Sequence, residues 1–141
     1  MAFRRRHRGT TVWLTLVAVL TATGCSSADP EKELRKVASW ATMAHLVADA
    51  RLAGSVSGRY ATQLLQIAGQ QLDQRSQSLR SAQLEPILRD EALETTSALR
   101  QVVGAMSIAA ELDTAALARS RSQLEPLERQ AKALSRSARQ Q

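Results

Sequence analysis

Cysteine occurs once in these 141 residues, at Cys25, so no disulfide can form within one chain and stability has to come from packing. Aromatic residues are nearly as scarce, and beyond residue 25 only Trp40 and Tyr60 remain. That leaves little to stack on bases, and nucleic-acid binding is not expected. Prolines and glycines are few, which leaves few places where a helix must stop. No segment alternates apolar and polar residues with period two, so no strand is expected. Beyond residue 25 the only histidine is His45. One histidine gives the dyads of acyl-transfer enzymes little to work with, and a structural zinc site wants four ligands. A Gly-rich phosphate loop, a nucleophile elbow and a metalloprotease helix motif are also missing. Neither enzymatic activity nor a cofactor is therefore expected.

The excess of positive charge is real but misplaced for nucleic acid. Lys and Arg total 19 against 13 Asp and Glu, a formal +6. Arg4, Arg5, Arg6 and Arg8 all precede Cys25, whereas every acidic residue follows it, so residues 25–141 carry a formal +2. The high charge belongs to the N-terminus, where it reads as a targeting feature.

What the N-terminus holds is ordered. The basic run at Arg4–Arg8 is followed by an uncharged, mostly apolar stretch from Thr11 to Thr23, then by Ala22-Thr23-Gly24-Cys25. A basic region, an apolar region of secretory length and small residues at a cleavage site form an export signal. With cysteine directly after the small residues, the arrangement resembles the lipobox of bacterial lipoproteins, although Ala22 stands where leucine is commoner. The resemblance implies cleavage between Gly24 and Cys25, diacylglycerol on the Cys25 thiol and often a further acyl chain on the new N-terminus. It also implies that Ser26, in place of Asp, permits outer-membrane sorting in a two-membrane cell. An uncleaved anchor is the competing reading. The uncharged stretch from Gly9 to Ala28 barely reaches the ~20 residues a spanning helix needs, and Thr, Ser and Gly interrupt it. Either way, the basic cluster stays cytoplasmic and residues 26–141 face outside the cytoplasm.

Three divisions follow: a signal peptide over 1–24, a lipidated cysteine and short tether over 25–29, and one domain over 30–141. About 117 residues suffice for one core and hardly for two. The composition, rich in Ala, Leu, Gln, Glu and Arg, predicts an all-α fold, an antiparallel bundle of about four helices. Asp29-Pro30 opens the first helix, with Leu34, Val37, Ala38, Ala41, Ala44 and Ala48 on one stripe. Gly54 and Gly58 frame the turn that ends it. A second helix runs from about Gly58 to Leu84, with Ala61, Leu65, Ala68, Leu72 and Leu79 inward. Pro86 marks a boundary, and Leu88, Ala92, Thr95, Leu99, Val102, Met106 and Ala109 form the seam of the third. The fourth begins near Asp113 and continues in heptad register across Pro126, where a kink or a break is equally compatible with the pattern. Gln83-Leu84-Glu85-Pro86 recurs as Gln123-Leu124-Glu125-Pro126. The third helix is net acidic and the fourth net basic, so these two are expected to attract each other as neighbours.

Candidate binding residues are few. His45 and Asp49 lie one turn apart on the same face, a spacing that could offer two metal ligands, although a histidine with a local partner at the edge of an apolar face is the plainer reading. Trp40 and Tyr60 both fall on apolar stripes, as core anchors or as walls of a ligand pocket in the bundle. The leading expectation is a membrane-anchored envelope lipoprotein with a structural or protein-interaction role. It would be held to membrane lipid through acylated Cys25, with an envelope protein partner or a second copy as its contact. An envelope ligand or metal sensor using a site in the bundle is the alternative.

Overall fold

Asp29 starts the first helix, as its sequence requires: its carboxylate accepts the Lys32 amide at 3.3 Å, and Pro30 occupies the first turn. The computed structural model describes residues 28–140. The expected signal peptide, its cleavage point at Gly24 and Cys25 lie outside the described residues. Four helices follow in order: α1 Pro30–Leu52, α2 Gly58–Ser81, α3 Pro86–Leu112 and α4 Thr114–Ala138. Ser57 caps α2 through the Tyr60 amide, and Asp113 caps α4 through the Ala116 amide. Among the described residues there is no strand.

The helices alternate in direction. Arg75 near the end of α2 meets Glu33 at the start of α1, Thr62 near the start of α2 bonds the Ser107 carbonyl near the end of α3, and Arg139 just past α4 meets Glu31. Each helix packs on its two neighbours around a square; α1 and α3 also touch across the diagonal. This is an all-α antiparallel four-helix bundle.

The core repeats the sequence stripes closely. Leu65, Leu72, Leu99, Met106, Leu117 and Leu124 are fully buried, and α1 presents Ala41, Ala44 and Ala48 to them. Small residues on α1 let its backbone sit close to its neighbours. On α3 the inward valine is Val103, while Val102 is only half-buried, because Thr95, Thr96, Leu99 and Val103 together widen the seam beyond a strict heptad.

Two glycines are required by geometry. Gly54 takes φ +72° in the turn after α1, in the left-handed region other residues avoid. Gly58 starts α2 against the end of α3, where an added Cβ would come within 2.9 Å of both the Ala110 carbonyl oxygen and the Glu111 Cα. Those are backbone atoms and cannot swing aside. Gly58→Ala is therefore expected to cost about 1–3 kcal/mol by overpacking, against the usual helix-propensity gain of alanine. Urea unfolding of the parent and variant checks the sign.

Pro126 neither ends α4 nor starts a new helix; the helix runs through it to Ala138. The Pro126 ring is exposed, so the missing amide bond falls on the solvent side, where water can satisfy the Ser122 carbonyl. At Pro86 the same tetrapeptide is a boundary, and α2 stops at Ser81, three residues before the expected end.

Candidate functional site

The α1–α4 seam carries a continuous chain of polar side chains. His45, about two-thirds of the way along α1, has a carboxylate at each ring nitrogen: Glu128 Oε2 lies 3.0 Å from Nδ1 and Asp49 Oδ2 lies 3.5 Å from Nε2. Glu128 also accepts from the Thr42 hydroxyl at 2.7 Å and from the Lys132 ammonium at 2.6 Å. Asp49 is gripped by Arg121 at 2.8 Å. The chain Arg121–Asp49–His45–Glu128–Lys132 thus zips the two helices together through side chains far apart in sequence.

That geometry fixes what His45 and Asp49 can do. The sequence places them on one face, and they do meet. Each is already engaged, and the two carboxylates approach His45 from opposite ring nitrogens, so they cannot converge on one ion. Among the described residues no group of three or more His, Cys, Asp or Glu is arranged to hold a metal. Glu128, the deciding partner, has no local signal: it sits 83 residues away from His45. Its one sequence-level mark is a charged residue inside the inward register of α4, beside Leu124 and Ala131.

A second ionic site lies at the α1–α2 contact. Glu33 is buried and accepts from Arg75 at 2.8 Å and from Lys36 at 2.9 Å. Burial pushes the Glu33 carboxyl up, but the hydrogen bonds and charges of Lys36 and Arg75 together outweigh it, and it ends below the usual glutamate value. Glu128 behaves alike: burial raises it, while Lys132, Thr42 and His45 together bring it down. Both carboxylates therefore bind protons more weakly folded than unfolded. Their stabilisation is present above the unfolded value of ~4.3 and is lost as pH falls through the lower folded values. Urea midpoints are expected to drop more between pH 5 and pH 2.5 in the parent than in a Glu33→Gln, Glu128→Gln double variant. Equal drops in both would assign acid sensitivity to other groups.

Trp40 and Tyr60 part company. Trp40 is half-buried and walls an apolar groove of about 380 Å³ between α1 and α2, together with Met43, Leu46, Val56, Leu64 and Ile67. Tyr60 does not line it and is 52% exposed, so it is no core anchor. The reason is angular: Ala61 and Leu65 hold the inward face of α2, and Tyr60 sits about 100° around the helix from Ala61 and about 140° from Leu65. Leu46 and Ile67 leave the groove with an exposed apolar rim.

The expected attraction between acidic α3 and basic α4 is not where the cross-helix ion pairs fall. They join α1 to α4 through Asp49–Arg121 and Glu31–Arg139, α1 to α2 through Glu33–Arg75, and α2 to α3 through Asp73–Arg100. Arg121 and Arg139 turn to α1 instead, because Asp49 and Glu31 stand at the facing edge, while Arg129 and Lys132 pair along α4 itself with Glu125 and Glu128.

No family model, no curated protein and no solved structure matches the chain.

Proposed function

We propose that this chain is a lipid-anchored lipoprotein of the bacterial cell envelope whose helical bundle serves a structural or protein-contact role outside the cytoplasm. The observation that carries the reading is the order of the N-terminal residues: a basic cluster, an uncharged apolar stretch and Ala22-Thr23-Gly24-Cys25. Among the described residues no helix is long and apolar enough to cross a membrane, so anchoring by this domain would need another device. Acylated Cys25 supplies one. Two or more acyl chains hold a protein stably, whereas a single chain does so only reversibly. Because α1 begins at Pro30, five residues after Cys25, the bundle would stand close against the lipid. Its location would be the cell membrane or the outer membrane.

The test is metabolic labelling with a palmitate analogue in intact bacteria. The parent is expected to carry label and the Cys25→Ala variant to carry none, with that variant retained at its uncleaved length. Equal labelling of the two would end the proposal.

A second reading draws on the apolar groove beside Trp40: a small apolar ligand carried between α1 and α2. At about 380 Å³ the groove is of ligand size, and apolar patches of this kind mark contact sites.

A further inference from the structure

We propose that the groove between the first half of α1 and the last half of α4 binds the phosphate of an anionic phospholipid headgroup. Its setting beside the membrane rests on the anchoring through Cys25 argued above. The groove measures about 600 Å³, and Arg35, Ser39 and Thr42 of α1 face Lys132, Ser135 and Arg136 of α4 across it. Three cations therefore converge on one cleft.

Two of these three charges are available, since Lys132 is paired with Glu128 at 2.6 Å. Arg75, Arg100, Arg121 and Arg139 are each held by a carboxylate. Arg35 and Arg136 have no ion pair and no side-chain hydrogen bond to any described residue. The nearest acid, Glu128, is turned inward and shared among Thr42, His45 and Lys132. Glu31 is occupied by Arg139. Guanidinium groups bind phosphate oxygens in a two-pronged fashion, and paired arginines across a cleft can grip one phosphate from both sides. Ser135 adds a hydroxyl with no partner among the described residues.

Placement and lining point to a lipid rather than a free ion. Arg35 lies about 7.5 Å along α1 from Pro30, at 1.5 Å per residue, and Arg136 is in the last turn of α4. The Glu31–Arg139 pair joins these two helix ends. The five residues from Cys25 to Pro30 span at most ~18 Å. The cleft thus runs along the half of the bundle next to the tether, with Arg35 and Arg136 toward the tethered end. Its floor is apolar, made by Ala38 and the stems of the long side chains, which suits the carbon next to a phosphodiester better than water-loving inorganic phosphate.

The full-length chain, held in an uncharged detergent, is titrated with dihexanoyl phosphatidylglycerol while its melting temperature is followed. Dihexanoyl phosphatidylcholine and inorganic phosphate run in parallel. The expected result is a saturable rise in melting temperature with phosphatidylglycerol, and none with either of the others at equal concentration. Arg35→Gln and Arg136→Gln should each weaken the midpoint about fivefold, and together about 30-fold, at ~1 kcal/mol per charge. Either single variant suffices if the double variant does not fold. An unchanged midpoint in the variants, no shift with phosphatidylglycerol, or an equal shift with phosphatidylcholine overturns the site. An equal shift with inorganic phosphate makes it a free-anion site and overturns the lipid assignment. The Cys25→Ser chain should titrate like the parent. Missing acyl label with an intact titration then removes the anchoring alone, and label with a failed titration removes this site alone.

Discussion

Leu99→Ala is expected to lower the unfolding free energy by about 3–5 kcal/mol, the upper part of the range for a buried leucine. Leu99 is fully buried in α3, which, like α1, touches all three other helices. How much a truncation costs depends on whether the surroundings can collapse into the gap. Here α1 offers alanines, Ala41, Ala44 and Ala48, which have no longer side chain to swing across. Fully buried Leu65, Leu72, Leu117 and Leu124 are already packed on all sides. The cavity therefore stays open. For a domain of this size the same loss corresponds to a fall in melting temperature on the order of 10–20 °C. Denaturant titration of the parent and variant measures it, and a cost under 1 kcal/mol would contradict the packing described.

The second large effect is expected at Glu33→Ala, at about 2–4 kcal/mol. Glu33 is only 6% exposed, and its partner Arg75 keeps 18% of its side chain in water. Arg75 is poorly supplied already: its Nε is buried without a hydrogen-bond partner. Removing Glu33 leaves a largely desolvated guanidinium with only the weak 3.4 Å bond to Gln74. Stranding one member of a fully buried pair costs about 3–5 kcal/mol, and residual exposure reduces that here. Losing Lys36 should matter far less, since its side chain is 41% exposed and returns to water. A double-mutant cycle with Arg75→Met separates the alternatives: most of the Glu33→Ala cost should vanish in the Arg75→Met background. A cost that stays the same there would show that the pair is not the cause.

The helical stripes of α1, α2 and α4 were legible because they depend on local periodicity, and the caps at Asp29 and Asp113 because capping chemistry is local too. The repeated Gln-Leu-Glu-Pro shows where that legibility ends. At 83–86 it is a boundary and at 123–126 the interior of a helix, with the same residues. An arginine stands three places after each proline. Arg89 folds back to donate to the Ala82 and Leu84 carbonyls and so holds the turn; Arg129 instead pairs with Glu125 along the helix. The choice is made by tertiary contact, since α4 must continue to bring Glu128 and Lys132 to α1. The candidate sites divide in the same way. His45 and Asp49 could be paired from their spacing, but Glu128 could not, because no periodicity links positions 83 residues apart. Tyr60 looked inward only because neighbouring apolar residues blur which side of α2 is which. Arg35 and Arg136 gave no motif at all; only the packing of α1 on α4 brings them across one cleft.

The α1–α4 seam also sets an order of events. Every contact that fastens it spans most of the chain: Arg121 reaches Asp49 over 72 positions, and Arg139 reaches Glu31 over 108. The other seams join neighbours in sequence and can close as soon as their two helices exist. Whether the chain emerges from a ribosome or from a translocation pore, three helices can assemble while Glu33 finds Arg75. Asp49, His45 and Thr42 must wait, hydrated, for the last segment to arrive. A chain stalled before α4 would thus show a helical hairpin and a third helix with an open, wettable flank, the surface a chaperone would meet first.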